Sequence, residues 1–135
     1  GKLWCLIILD VDDFKSINDV YGHIVGDKVL CRVAKVLKAA YGNTDSFLAR
    51  FGGDEFVVVA SCDGAEKAKD VLQLFYDKLE ESNRQAAKPL RVTLSAGYAC
   101  YDGVRVNDRH SLMKAADEAM YREKQRKKAG DCMPA

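Results

Sequence analysis

Two acidic clusters, Asp10-Val11-Asp12-Asp13 and Asp54-Glu55, are the residues whose types and spacing could do chemistry in this chain. The second lies in Arg50-Phe51-Gly52-Gly53-Asp54-Glu55-Phe56, between two strand-like runs. Ser46 to Phe51 alternates, with Phe47, Ala49 and Phe51 against Ser46, Leu48 and Arg50, and Phe56 to Ala60 is a β-branched apolar run. Gly-Gly between such runs reads as a tight primed hairpin in which both glycines take φ > 0 without a Cβ penalty. That explains the glycines and leaves Asp54 and Glu55 unexplained. Solvated loop charges that discourage edge pairing are the plain alternative. Against it stands the first cluster, because the apolar run Leu3 to Leu9 empties into three carboxylates.

Carboxylates brought this close repel and raise one another's pKa unless a cation compensates them. Oxygen ligands with no His or Cys nearby favour a hard ion, Mg²⁺ or Mn²⁺. Mg²⁺ keeps waters and takes one or two carboxylates plus substrate phosphates, which makes a nucleotide the natural partner. A helix starting near Phe14 would aim free N–H groups at a phosphate, and Lys15 adds a mobile positive charge there. Two ions bridging the attacking and leaving oxygens would suit in-line phosphoryl or nucleotidyl transfer. Asn18 and Asp27 offer the pattern a guanine needs: a carboxylate accepts from N1–H and the amino group, and Asn meets O6 or N3. Equally, both are ordinary helix-capping choices, Asn18 near a helix end and Asp27 at the next helix start.

The elements that must position these residues follow from periodicity. Phe14 to Val20 is a short helix, and Tyr21 to Asp27 a glycine-punctuated loop. Val29, Leu30, Val33, Val36, Leu37 and Ala40 then mark one helical face, with Lys28, Arg32, Lys35 and Lys38 as its solvated side, until Gly42 and Asn43 stop it. After the hairpin come a helix from about Ala65 to Ser82, a strand from Leu90 to Tyr98, and a last helix through Leu112, Ala115, Ala116, Ala119 and Met120 to Lys128. Residues 130–135 read as a tail after a domain spanning 1–129. This order contains the βαββαβ pattern of an α+β, ferredoxin-like fold with an extra helix. In that topology strand three lies antiparallel beside strand one, so Asp54 and Glu55 should meet Asp10 at one sheet edge.

Composition narrows the field. The 135 residues, 48% apolar and 30% charged, fit one domain with a real core. Twenty-one Lys and Arg against twenty Asp and Glu leave a net charge of +1, so no global field draws the chain to nucleic acid or membrane. Leu3 to Leu9 is too short to span a bilayer and has no signal-peptide flanks. Five cysteines (Cys5, Cys31, Cys62, Cys100, Cys132) without metal-type spacing read as reduced core thiols of a cytoplasmic domain. A chain that begins almost directly in a buried strand is expected to be a piece of a longer protein.

Taken together, Asp10-Val11-Asp12-Asp13-Phe14-Lys15-Ser16-Ile17-Asn18-Asp19, Gly22-His23, Gly26-Asp27 and Gly52-Gly53-Asp54-Glu55-Phe56 closely resemble the GGDEF-domain diguanylate cyclases. Ser95-Ala96-Gly97-Tyr98 and Ala116-Asp117-Glu118-Ala119-Met120-Tyr121 to Lys124 extend the resemblance over nearly the whole chain. The resemblance implies condensation of two GTP into cyclic di-GMP with release of two pyrophosphates, each 3′-hydroxyl attacking the other nucleotide's α-phosphate. It implies metal ligation by Asp10, the Val11 carbonyl and Asp54, with Glu55 a further ligand or helper, and catalytic roles for Asp54, Glu55 and Lys15. Phe14, Asn18, His23, Asp27, Gly52 and Gly53 would lie against the nucleotide, and Lys124 and Lys128 would reach its terminal phosphates. For that last pair, dipole compensation at a helix end is an equally good reading.

Each domain of the family binds one GTP, so the resemblance also implies an antiparallel pair of such domains and an upstream sensory or dimerisation domain. GTP binding by this piece should therefore be easier to detect than turnover. Departures bear on regulation and binding. The stretch Asn43-Thr44-Asp45-Ser46 lacks the arginine of an inhibitory product site, a familiar segment ahead of the first strand is missing, and Lys127 stands where a glycine is common. The main rival is a catalytically silent GTP-binding regulatory module, which the intact Asp10, Lys15, Asp54 and Glu55 disfavour. A polymerase-like palm lacks segments for fingers and thumb, and an ATP-using relative is disfavoured by Asp27, since a carboxylate does not pair with adenine's acceptor.

Overall fold

The computed structural model describes residues 3–42, 46–101 and 109–131. The expected inhibitory-site stretch at 43–45 and the tail from 132 lie outside the described residues. Four strands, β1 (Leu3–Val11), β2 (Ser46–Phe51), β3 (Glu55–Cys62) and β4 (Leu94–Tyr101), form one antiparallel sheet in the order β2-β3-β1-β4. This is the ferredoxin-like arrangement expected from the element order, with β3 between β1 and β2. Helices α1 (Phe14–Tyr21), α2 (His23–Tyr41), α3 (Ala68–Gln85) and α4 (Arg109–Asp131) complete the fold. No helix among the described residues is long and apolar enough to cross a membrane.

β1 is apolar from Leu3 to Leu9 because helices cover both of its faces. Ile7, Leu9 and Val11 join Val29, Val33, Leu37 of α2 and Phe75 and Leu79 of α3 in the main core. Leu6 and Ile8, on the opposite face by strand alternation, pack with Val57 under Ala116 and Met120 of α4. α4 comes this close because residue 97 has no side chain. A Cβ there would lie 2.1 Å from the Met120 backbone nitrogen and 2.3 Å from the Ala116 carbonyl oxygen.

Several local expectations are corrected. Residues 23–27 are not loop: Gly22 alone, at φ 91°, breaks the chain between α1 and α2, so Asp27 lies inside α2 rather than capping it. In the hairpin only Gly52 has positive φ, at 63°. Phe51 pairs with Glu55 across a three-residue loop, Gly52 to Asp54, so the two-residue primed turn is not formed. The fourth strand starts at Leu94 rather than Leu90, because Pro89 sits in a 3₁₀ turn over Lys88–Leu90 and has no N–H for a ladder. Before α3, Ala65–Lys67 forms a 3₁₀ turn, and α4 runs on to Asp131. Arg32 is not part of a solvated face: its guanidinium donates to Ser82 Oγ and Asn83 Oδ1, both at 2.7 Å, and to the Leu90 carbonyl, tying α2 to α3.

Candidate active site

β1 ends where β3 begins. Asp10 is the register partner of Glu55 on one side and of Ser95 on the other, and the Val11 N–H donates to the Asp54 carbonyl at 3.2 Å. The expected meeting of the two acidic clusters is therefore present at one edge of the sheet. Strand alternation puts Asp10 on the α4 face with Leu6 and Ile8, and there Lys124 donates to Asp10 Oδ2. The other oxygen, Oδ1, is buried and has no hydrogen-bond donor.

Electrostatics agree with that crowding. Burial and then the neighbouring Asp10 carboxylate push Asp54 above the ordinary carboxylate range. Glu55 is raised by burial and by Asp117, Asp10 and Asp54 in turn. Burial alone would lower Lys124, but Asp10 outweighs it and raises the ammonium pKa. Asp54 beside Asp10 brings a second carboxylate rather than an N–H or a hydroxyl donor. A buried, undonated carboxylate oxygen beside two destabilised carboxylates is an all-oxygen donor set that suits a hard divalent cation.

Asp12 is handled differently. It accepts hydrogen bonds from Thr93 Oγ1 at 2.6 Å, Ser95 Oγ at 2.7 Å and Lys127 Nζ at 2.8 Å. Burial would raise its pKa, yet these three donors, Lys127 first, hold it below the ordinary value. Lys127 also donates to the Leu94 carbonyl at 2.7 Å. Asp12 thus braces α4 against the start of β4, a structural duty that Asp10, Asp54 and Glu55 do not share. Asp13 takes a left-handed turn at φ 55°, which starts α1 without a side-chain cap. The first N–H groups of α1 accordingly lack side-chain partners from that cap.

A cleft of about 700 Å³ opens between these elements, lined by Asp12, Asp13, Ser95, Lys124 and Lys128 among others. Acidic residues thus lie beside the basic end of α4, the pairing a metal-bound polyphosphate needs. Exposed Lys15 is on the first turn of α1. At the far end of α1, Asn18 lies against buried Gly26, where a Cβ would come within 1.9 Å of Asn18 Oδ1 and 3.4 Å of Phe14 Cζ. Asp27 and His23 are exposed on α2, and Asp27 lines a separate groove of about 480 Å³ with Lys28, Arg32 and Leu90. Gly52 and Gly53 are exposed at the hairpin tip, with open space around both. Lys124 links the two features, since it contacts Asp10 of the acidic edge and lines the cleft with Lys128; Asn18 lies apart on α1 against Gly26, and His23 and Asp27 lie on α2.

Sequence reasoning missed the bracing trio of Lys127, Thr93 and Ser95, and the field of Asp117 on Glu55. The spacing of Lys124 and Lys127, three apart and so on one helical face, was a usable signal for the first.

Comparison with known proteins points to one family. The family described as "Diguanylate cyclase, GGDEF domain" matches residues 1–130. Diguanylate cyclase A of Treponema denticola is 37% identical over 121 residues, covering 89% of this chain and 32% of that protein. Diguanylate cyclase DgcP of Pseudomonas aeruginosa is 37% identical over 120 residues, covering 88% and 17%. The chain thus spans about a third or less of the length of these relatives. A crystal structure of the coiled coil and GGDEF domain of DgcB from Caulobacter crescentus in complex with c-di-GMP superposes with a TM-score of 0.76 at 31% identity, over 93% of this chain and 66% of that one. With sequence, fold and the acidic edge of the sheet in agreement, the chain belongs to the GGDEF-domain diguanylate cyclase family.

Proposed function

We propose that this chain is a catalytic domain that condenses two GTP into cyclic di-GMP and two pyrophosphates, and that it acts as an antiparallel pair of domains. The observation that carries the reading is the β1–β3 register. It sets Asp10 beside Glu55 and Asp54 and leaves a buried Asp10 oxygen without a donor. A silent module has no need to keep such a destabilised cluster.

In this reading Asp10, the Val11 carbonyl, Asp54 and Glu55 hold Mg²⁺ or Mn²⁺, two ions per site. Bound there, the metal would supply charge stabilisation at the phosphates and acidify the attacking hydroxyl. The residues of the chain do the rest. Asp54, raised by burial and by Asp10, is placed to take the proton of the 3′-hydroxyl, a shift in the direction general-base chemistry needs. Lys15 and the first N–H groups of α1 meet the phosphates from one side. Lys124 and Lys128 meet them from the other, with Lys124 exchanging its Asp10 partner for phosphate oxygen. Asn18, Asp27 and His23 hold the guanine, and Phe14 backs that pocket from the core. Gly52 and Gly53 let substrate approach the hairpin without a side chain in the way.

One domain carries one such site, so ring closure needs a second domain facing it. A coiled coil accompanies the GGDEF domain in the Caulobacter crescentus structure, which supports a dimerising segment joined to this domain. GTP as substrate implies a cytoplasmic location for the domain. The test is to fuse the chain to a dimerising coiled coil, incubate it with Mg²⁺ and either GTP or ATP, and identify the products by mass spectrometry. Cyclic di-GMP from GTP alone is the expected result. GTP binding without product would favour the regulatory module, and a mixed or adenine dinucleotide would overturn the guanine assignment.

A further inference from the structure

The end of the sheet opposite the acidic edge carries a group of side chains the cyclase reading does not use. Cys5 of β1, Cys62 of β3 and Cys100 of β4 come from three adjacent strands, and their sulfurs all lie within 4.8 Å of one another. Cys5 is the hub, 2.7 Å from Cys62 Sγ and 3.2 Å from Cys100 Sγ. Strand geometry puts it about 17 Å from Asp10, five residues along β1. We propose that Cys5, Cys62 and Cys100 form a three-sulfur site for a soft, thiophilic cation, Cu(I).

Three observations carry this. The ligand set is all sulfur, and among the described residues no His, Asp or Glu joins the group as a fourth ligand. A closed structural Zn²⁺ site takes four protein ligands, whereas Cu(I) accepts three thiolates. Its surroundings are Ala68, Val71 and Tyr98, an apolar wall that suits a soft ion and excludes hard ones. Cys5 is fully buried and Cys62 nearly so, but Cys100 is only half-buried and offers a way in from solvent.

A disulfide fits less well. The closer sulfur pair, Cys5 and Cys62, is offset by two residues in the β1–β3 register, and such diagonal Cα atoms stand about 7–8 Å apart, beyond the usual disulfide span. Cys5 and Cys100 are direct register partners, yet bridging them would strand the third thiol. Metal–sulfur bonds of about 2.3 Å ask the sulfurs to part by roughly an ångström, a side-chain rotation. Burial and the neighbouring sulfurs push the Cys5 thiol up, and burial chiefly raises Cys100. Loading would therefore release to solvent the proton of each thiol that ligates.

The test uses the whole chain in a Cys31→Ser, Cys132→Ser background, kept anaerobic and reduced. Cu(I) is offered with bicinchoninate as a competing chelator, and Zn²⁺ in a parallel titration. The expected result is one Cu(I) per chain taken from the chelator, with proton release, sulfur-to-copper charge-transfer absorption and a raised Tm. Cys5→Ser and Cys100→Ser should each lose this binding. Circular dichroism checks folding, and the half-buried Cys100→Ser decides the matter if Cys5→Ser does not fold. Failure to take Cu(I) from the chelator, retained binding in Cys100→Ser, or preference for Zn²⁺ over Cu(I) would each overturn the site. So would ready formation of a Cys5–Cys100 disulfide with oxidised glutathione in a protein that ignores Cu(I).

Discussion

Lys124 of α4 donates to Asp10 at the end of β1, a contact between residues 114 positions apart in the chain. In the proposed cyclase it places a single ammonium where both the Asp10 carboxylate and a polyphosphate would compete for it. Lys124→Met keeps the stem's packing and removes the charge. Two opposite shifts are expected: tighter Mg²⁺ binding without nucleotide, because Asp10 loses its competitor, and a higher KM for GTP, because the phosphates lose a donor. Metal titration in the absence of GTP and steady-state kinetics of the dimerised chain read them separately. A fall in both affinities would mean that Lys124 serves only to hold Asp10 in place.

Asp54→Asn should separate stability from activity. Asp54 is raised in the fold, so its contribution to stability is fully present below the ordinary carboxylate pKa and is lost as pH rises through the folded value. At neutral pH without metal the ionised Asp54 opposes folding, and Asn should raise Tm. That advantage should vanish on acidification, where the wild-type carboxyl is protonated in both states. Activity should fall by about 10²- to 10⁴-fold, the range for a lost acid–base group. Thermal melts in EDTA across a pH series, beside product formation with Mg²⁺, check both. A lower Tm for the variant at pH 7 would refute the crowded-carboxylate account.

How much of this was legible in the sequence depended on the reach of each signal. The meeting of Asp10 with Asp54 and Glu55 followed from strand order, because a split βαβ unit leaves strand three only one place to go. The core face of α2, from Val29 to Ala40, followed from helical spacing and is buried as expected. Boundaries were less legible because single residues set them. Gly22 makes a full break by its φ alone, so the glycine-rich stretch after it is helix, and Pro89 delays β4 by denying a ladder bond. Long-range side-chain partners were least legible of all. Nothing local to Arg32 announces Asn83 and the Leu90 carbonyl, and nothing near Cys5 announces that Cys62 and Cys100 are its neighbours.

Gly26→Ala tests the proposed role of Asn18 in holding guanine. The new Cβ would sit 1.9 Å from Asn18 Oδ1, and that atom is the tip of a side chain that can rotate away. Stability should change little, since Ala gains about 0.5–1 kcal/mol over Gly inside a helix and offsets part of the displacement. GTP affinity should drop about three- to tenfold, the worth of one hydrogen bond between neutral groups. Calorimetric titration of GTP with Mg²⁺, paired with urea denaturation, gives both quantities. Unchanged affinity with a displaced Asn18 would remove that residue from base recognition.

Lys127→Ala asks what the lysine contributes to holding α4 on the sheet. Lys127 bonds both Asp12 and the Leu94 carbonyl, and both charged side chains are partly buried, 31% and 18% exposed. Discounted for that exposure, its loss should cost about 1–2 kcal/mol at neutral pH. Asp12 is held below its ordinary value of 3.8, so the stability it contributes is present above that value and is lost as pH falls through the lower, folded one. The gap between wild type and variant in urea denaturation should therefore be flat above about pH 5 and close in acid as Asp12 protonates. Should the gap persist undiminished in acid, the lysine's worth would lie in its bond to the Leu94 carbonyl, which does not titrate. In that case the Asp12 ion pair would be incidental to holding α4 on the sheet, and Asp12→Asn would be nearly silent in the same measurement.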